Sequence, residues 1–127
     1  MMLIDLKPEI RQALQSNAAL ILLLGRDKNG EVKVYPQASP EITGPHVTFF
    51  EITNYNNNFA SDRAISSEIH FQMDIWTPYN TGPIAIAVNE TMEGLGFHRR
   101  SARDMPYDKD AATYHKVMRF SKTHFGG

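Results

Sequence analysis

Five histidines, three aspartates gathered around a tyrosine and a short arginine cluster are the side chains of this chain whose types could do chemistry. Zinc sites need imidazoles at short helical or strand spacing. His46, His70, His98, His115 and His124 are not paired at such spacing, and no His-Glu-x-x-His segment occurs. His70 falls on the polar side of an alternating segment, where a solvated or sheet-packed ring is the simpler reading. Asp27-x-Asn29 opens like a calcium loop, but Val32 stands where such a loop needs glycine for its sharp turn. Asp104, Asp108 and Asp110 surround Tyr107. Paired carboxylates can move protons or hold a divalent ion, yet aspartate is also a common turn former, and the turn is the expected role here. No Gly-x-Ser-x-Gly elbow and no glycine-rich phosphate loop is present. No catalytic, cofactor-binding or metal-ligating residue is assigned, and the chain is expected not to be an enzyme.

His98-Arg99-Arg100 with Arg103 is the one basic concentration. On a strand, Arg99 and Arg100 point to opposite sides, which divides their charge. A solvated edge or an ion pair between subunits is expected there, and specific nucleic acid binding is not. Trp76 and Phe59 differ in kind, because each aromatic ring is set among polar neighbours, a placement that often anchors protein interfaces. Packing of a helix over Trp76 is the competing reading. Candidate interface residues are Asn56, Asn57, Asn58, Phe59, Asp62, Arg63, Trp76, Arg99 and Arg100.

The composition limits what these residues can belong to. The chain has 127 residues, 42% hydrophobic and 21% charged, with no composition break, so one domain with a modest core is expected. A net charge of −1, from 13 basic and 14 acidic residues, supplies no field to gather phosphates. Cysteine is absent, which removes disulfides, thiol nucleophiles and cysteine-ligated zinc. The longest apolar run, residues 18–24, is far short of the roughly 20 residues that span a bilayer. No signal peptide pattern opens the chain, and synthesis in a host cytoplasm is expected.

The elements follow from periodicity. Leu3, Leu6, Ile10 and Leu14 share one helical face, with Pro8 in the first turn. Asn17 is placed to cap a second helix, residues 18–24, closed by Gly25. Asn29-Gly30 marks a tight turn before a strand over residues 32–35 that ends at Pro36. A second strand covers residues 46–52. Residues 53–66 are polar, asparagine-rich and aperiodic, and read as a long connection or hairpin tip. Ile69, Phe71, Met73 and Ile75 alternate with polar residues and predict a central strand. Pro83 opens an amphipathic helix with Ile84, Val88, Met92 and Leu95 on one stripe, stopped by Gly94-Leu95-Gly96. Strands over residues 97–103 and 114–123 flank a turn region at 105–112. The expected fold is α+β, a mainly antiparallel sheet of about four to five strands with N-terminal helices and one amphipathic helix on one face.

Gln72-Met73-Asp74-Ile75-Trp76, the helix ending at Leu95-Gly96-Phe97-His98-Arg99, and Tyr114-His115-Lys116-Val117-Met118-Arg119-Phe120 together resemble the tail-completion, or tail-to-head joining, proteins of long-tailed phages and prophages. Residues 20–25, Val32-Lys33-Val34-Tyr35-Pro36 and Pro45-His46-Val47-Thr48-Phe49 fit the same layout. The resemblance implies a tail-terminator-like fold, assembled as a ring, commonly six-fold, at the head-proximal end of the tail tube. Implied partners are further copies of the chain, the major tail tube protein and a head connector protein, with no membrane and no cofactor; the implied place is the virion neck or tail. A connector stopper is the nearest alternative. A small metal-dependent phage enzyme acting on nucleic acid through Asp108 is a more distant one. Residues 54–66 are expected to become ordered when they meet the tube or a neighbouring subunit.

Overall fold

The computed structural model describes residues 3–38, 43–60 and 63–125. Two short helices, α1 (Lys7–Gln15) and α2 (Ala18–Leu23), lead into strands β1 (Val34–Pro36), β2 (His46–Ala60) and β3 (Arg63–Thr77), then helix α3 (Gly82–Gly94), and finally β4 (His98–Asp104) and β5 (Tyr114–Phe125). One sheet holds all five strands in the order β1-β2-β3-β5-β4. Only β1 and β2 run parallel; the other three pairs are antiparallel. This is the α+β arrangement expected, with β3 at its centre.

Local chemistry explains the helix boundaries. Pro8 sits in the first turn of α1, where its missing N–H costs nothing. Leu6, Ile10 and Leu14 are buried as predicted, but Leu3 precedes the helix and is 82% exposed, so the predicted stripe is one residue too long. Asn17 caps α2 by accepting from the N–H groups of Ala19 and Leu20 at 3.0 and 3.1 Å. Its amide also donates to Thr91 Oγ1 at 3.0 Å, tying the start of α2 to α3. Gly25 does not close α2 in a left-handed conformation. The chain leaves the helix extended at Leu24, and Gly25 instead pairs its N–H with Pro45 O and its carbonyl with Lys33 N. Gly96 does take the left-handed role, at φ +90°, after α3, where Phe97 N–H bonds back to Met92 O.

One face of the sheet carries the core. Val47, Phe49, Ile69, Phe71, Met73, Ile75, Met118 and Phe120 pack against Ile10, Leu14 and Leu20 from the first two helices and Ile84, Val88 and Met92 from α3. Phe71 sits at the middle, its ring 6.2 Å from Phe49 and edge-on to Phe97 at 5.9 Å. Residues 32–35 are buried on both sides instead of alternating. Of these only Val34 and Tyr35 belong to β1, which runs on through Pro36 as an edge strand.

Residues 53–66 take the hairpin form, one of the two readings the sequence left open. Apart from residues 61 and 62, which lie outside the described residues, they are not a loop but the outer half of a β-ribbon, paired from Thr53↔His70 to Ala60↔Arg63. Asparagine is a poor strand former, and with both ribbon faces half open no hydrophobic period marks the strands. Side-chain hydrogen bonds across the ribbon replace it: Ser66 Oγ donates to Asn57 O and Asn57 Oδ1, and Asn58 Nδ2 donates to Ser66 Oγ. Asn58 stands at φ +52°, a left-handed backbone that asparagine tolerates better than most residues.

Candidate functional site

The ribbon gathers the first group of predicted interface residues. Asn56 and Asn58 are exposed and Asn57 half-buried along β2, and Phe59, 64% exposed, is close to the tip. Arg63 begins β3 and is exposed; Asp62 lies outside the described residues. Register places Tyr55 and Asn57 opposite Glu68 and Ser66, on the face away from the helices, and Phe59 level with residue 64. Tyr55 stacks on His70 at 6.4 Å, and Glu68 accepts from Asn57 Nδ2 and from Thr123 Oγ1 at 2.8 Å.

The second group lies on β4, where all seven residues are exposed. Arg99 is opposite Phe120 on the helix-bearing face, and its guanidinium donates to Asn89 Oδ1 of α3 at 3.0 Å. Arg100 is the extra residue of a β-bulge between Arg99 and Ser101, so the strict alternation expected for the two arginines does not hold. Arg103 is opposite Val117 on the other face, and Asp104 pairs with Lys116 at 3.2 Å.

Trp76 is not covered by a helix. It lies on the outer sheet face, in a strip that crosses three strands: His46 on β2, Trp76 on β3 and His115 on β5, paired His46↔Trp76↔His115. The His115 ring stacks on the indole at 3.7 Å with an interplanar angle of 11°, and His46 is stacked at 6.1 Å. Indole Nε1 donates to Thr48 Oγ1 at 3.1 Å. Asp74, only 6% exposed, holds the far side: His115 Nε2 lies 2.8 Å from its Oδ1, and Gln72 Nε2 donates to both carboxylate oxygens at 3.2 Å. Burial pushes the His46 imidazole below its ordinary value of 6.5, and the nearby Lys33 charge acts in the same direction, while Gly44 O, 2.9 Å from Nδ1, opposes both.

A carboxylate-oriented imidazole is the arrangement that activates a serine or thiol nucleophile. Here no hydroxyl or thiol is bonded to His115 among the described residues, and the indole covers one face of its ring. Five of the nine predicted interface residues belong to the ribbon, two to β4, and Trp76 to this strip. His46, Asp74 and His115 were missed: each was read alone, and only the sheet register brings them together. The one signal in the sequence was that Asp74 and Trp76 share the polar side of their strand.

Two clefts flank the 105–113 connection. One, of about 690 Å³, is lined by Tyr79, Tyr107, Tyr114 and Met105, with Asp104 and His115. The other, of about 350 Å³, opens onto His46, Thr48 and Trp76 beneath Asp108 and Thr113. The aspartates themselves build a turn: Asp108 Oδ1 accepts from the N–H groups of Asp110 and Ala111, both at 3.0 Å. Among the described residues no three histidine or carboxylate side chains converge as a metal site would require, and no helix is long and apolar enough to cross a membrane.

Comparison with known proteins adds two findings. The family profile described as "Tail completion protein gp17" matches residues 8–124. A chain from the solved structure "Virion of native gene transfer agent (GTA) particle" shares the fold at a TM-score of 0.61 with 17% identity, over 92% of each chain. No curated protein matches.

Proposed function

Because the chain belongs to the tail completion protein gp17 family, a family of structural phage tail proteins, we propose that it forms a ring at the head-proximal end of a phage or prophage tail. The ring ends the growing tube and offers its other side to the head, so that its partners are further copies of itself, the major tail tube protein and a head connector protein. Its place is the virion neck, and it acts without bond-making chemistry.

The family match over nearly the whole chain carries this reading. The sheet supports it by leaving two unlike borders free among the described residues, since a ring needs two different complementary patches on each subunit. The Asp74–His115 pair supports it too, because its hydrogen bonds and its stacked indole serve packing on a face that helices do not cover.

Electron microscopy of particles made without the protein tests the proposal. Overlong tails, or tails and filled heads that never join, are expected. Joined particles of normal tail length whose heads leak DNA would move the protein to a stopper station. Normal infectious virions would remove it from the neck altogether.

A further inference from the structure

We propose that residues 52–60 of β2 take the β4 edge of a second copy as their next strand, so that the sheet continues antiparallel from one subunit to the next. This rests on the ring reading above and names the two surfaces that close the ring.

The two borders of the sheet differ in how they are guarded. β1 pairs with β2 only at Val47, Thr48 and Phe49, and among the described residues nothing pairs with the outer border of β2 beyond that point. Residues 52–60 contain no charge and no proline, and they expose Ile52 (42%), Tyr55 (51%) and Phe59 (64%). A long, uncharged, partly apolar edge is one that accepts another strand. The β4 border is guarded by contrast. It carries Arg99, Arg100, Arg103 and Asp104, with a bulge at Arg100. Two β4 edges brought together would set arginine beside arginine. Against residues 52–60 the same arginines meet no charge at all.

Strand direction favours the same pairing. β2 and β5 run one way and β3 and β4 the other. Any rotation that keeps strand direction therefore places β4 of one copy antiparallel to β2 of the next, the stronger form of pairing. The faces match as well. On the outer face β4 presents Ser101 and Arg103, opposite Arg119 and Val117, while the ribbon presents Thr53, Tyr55 and Asn57. Arg103 makes no ion pair among the described residues and would lie near the Tyr55 ring, a cation–π contact.

The register also sets a tilt. Followed across the sheet, Ala102 is level with Met118, Met73 and Phe49, which is the stretch that β1 already covers. To set Arg103 beside Tyr55 with the faces matched, the neighbour must shift along the strands by an even number of residues, about six past the bulge, or ~20 Å at 3.4 Å per residue. Strands inclined to the ring axis produce such a stagger as a sheet closes on itself.

The absence of native cysteine gives a clean test. Phage particles are prepared carrying Ser101→Cys together with Thr53→Cys, Tyr55→Cys or Asn57→Cys, one partner per variant to span the register, and are then oxidised. The expected result is a ladder of disulfide-linked multimers from at least one infectious double variant and none from Ser101→Cys or the ribbon substitutions alone. Dimers from a single variant would overturn the proposal in favour of like-to-like pairing. Infectious particles of all three double variants without a ladder would overturn it as well. Absence of the wild-type protein from purified particles would instead defeat the ring reading itself. A second measurement leaves the ribbon intact: Arg103→Glu is expected to lower infectious titre at least tenfold while the purified protein melts as wild type, and an unchanged titre counts against the pairing.

Discussion

Trp76 owes its position to its neighbours on either side. Stacked on His115 and hydrogen-bonded to Thr48, it ties β5 and β2 to β3 on the outer face. Trp76→Ala is expected to lower stability by about 2–4 kcal/mol, toward the lower end for a ring only partly buried. A urea melt followed by circular dichroism measures the loss. His46 gives a pH dependence whose sign follows from its lowered pKa. The folded protein holds this imidazole neutral while the unfolded chain protonates it near 6.5, so stability is complete above that value and declines as pH falls through and below it. Melting temperature measured from pH 7.5 down to about pH 5 should fall, and His46→Gln should fall less steeply over the same interval. An identical slope in the variant would show that other groups set the acid response.

Among the elements, β3 is the one most plainly written in the sequence. Its alternation of Ile69, Phe71, Met73 and Ile75 against polar residues requires a strand with one buried face, and all four are fully buried. Phe71→Ala should cost about 3–5 kcal/mol, because the hole opens between Phe49 and Phe97 in the middle of the core. Equilibrium denaturation gives that number directly. The ribbon was legible only as one of two alternatives, a connection or a hairpin tip, for the opposite reason. Its strands are held by register with each other and by the Ser66–Asn57–Asn58 bonds, and neither leaves a period in the sequence. The two helix-ending glycines make the same point. Gly96 and Gly25 look alike in sequence, but only Gly96 adopts the left-handed turn; Gly25 is drawn into bonds with Pro45 and Lys33, residues it meets only in the folded chain. Gly96→Ala should therefore destabilise by about 1 kcal/mol or more through backbone strain, whereas Gly25→Ala has no such penalty and meets Lys33 Cδ at 3.4 Å.

Across the whole molecule, fold class and the pairing of helices with one sheet face were readable because burial imposes them on the sequence. The surfaces proposed to meet other molecules were readable only in part. Phe59, Arg99 and Arg100 could be singled out by type, since an exposed aromatic ring or an arginine cluster is unusual wherever it falls. The aromatic strip could not, since His46, Trp76 and His115 are brought side by side by register across three strands. Nor could the unequal guarding of the two sheet borders, which requires knowing that β4 is last in the order and that β1 is only three residues long.

The close stack of Trp76 on His115 has an optical consequence. Trp76 is the sole tryptophan, so all indole emission from the molecule originates at this one contact, with an imidazole face 3.7 Å away. An imidazole at that distance takes up excitation by charge transfer. The native protein should therefore be dim and brighten on unfolding. Light from one ring would then track the outer face without any label.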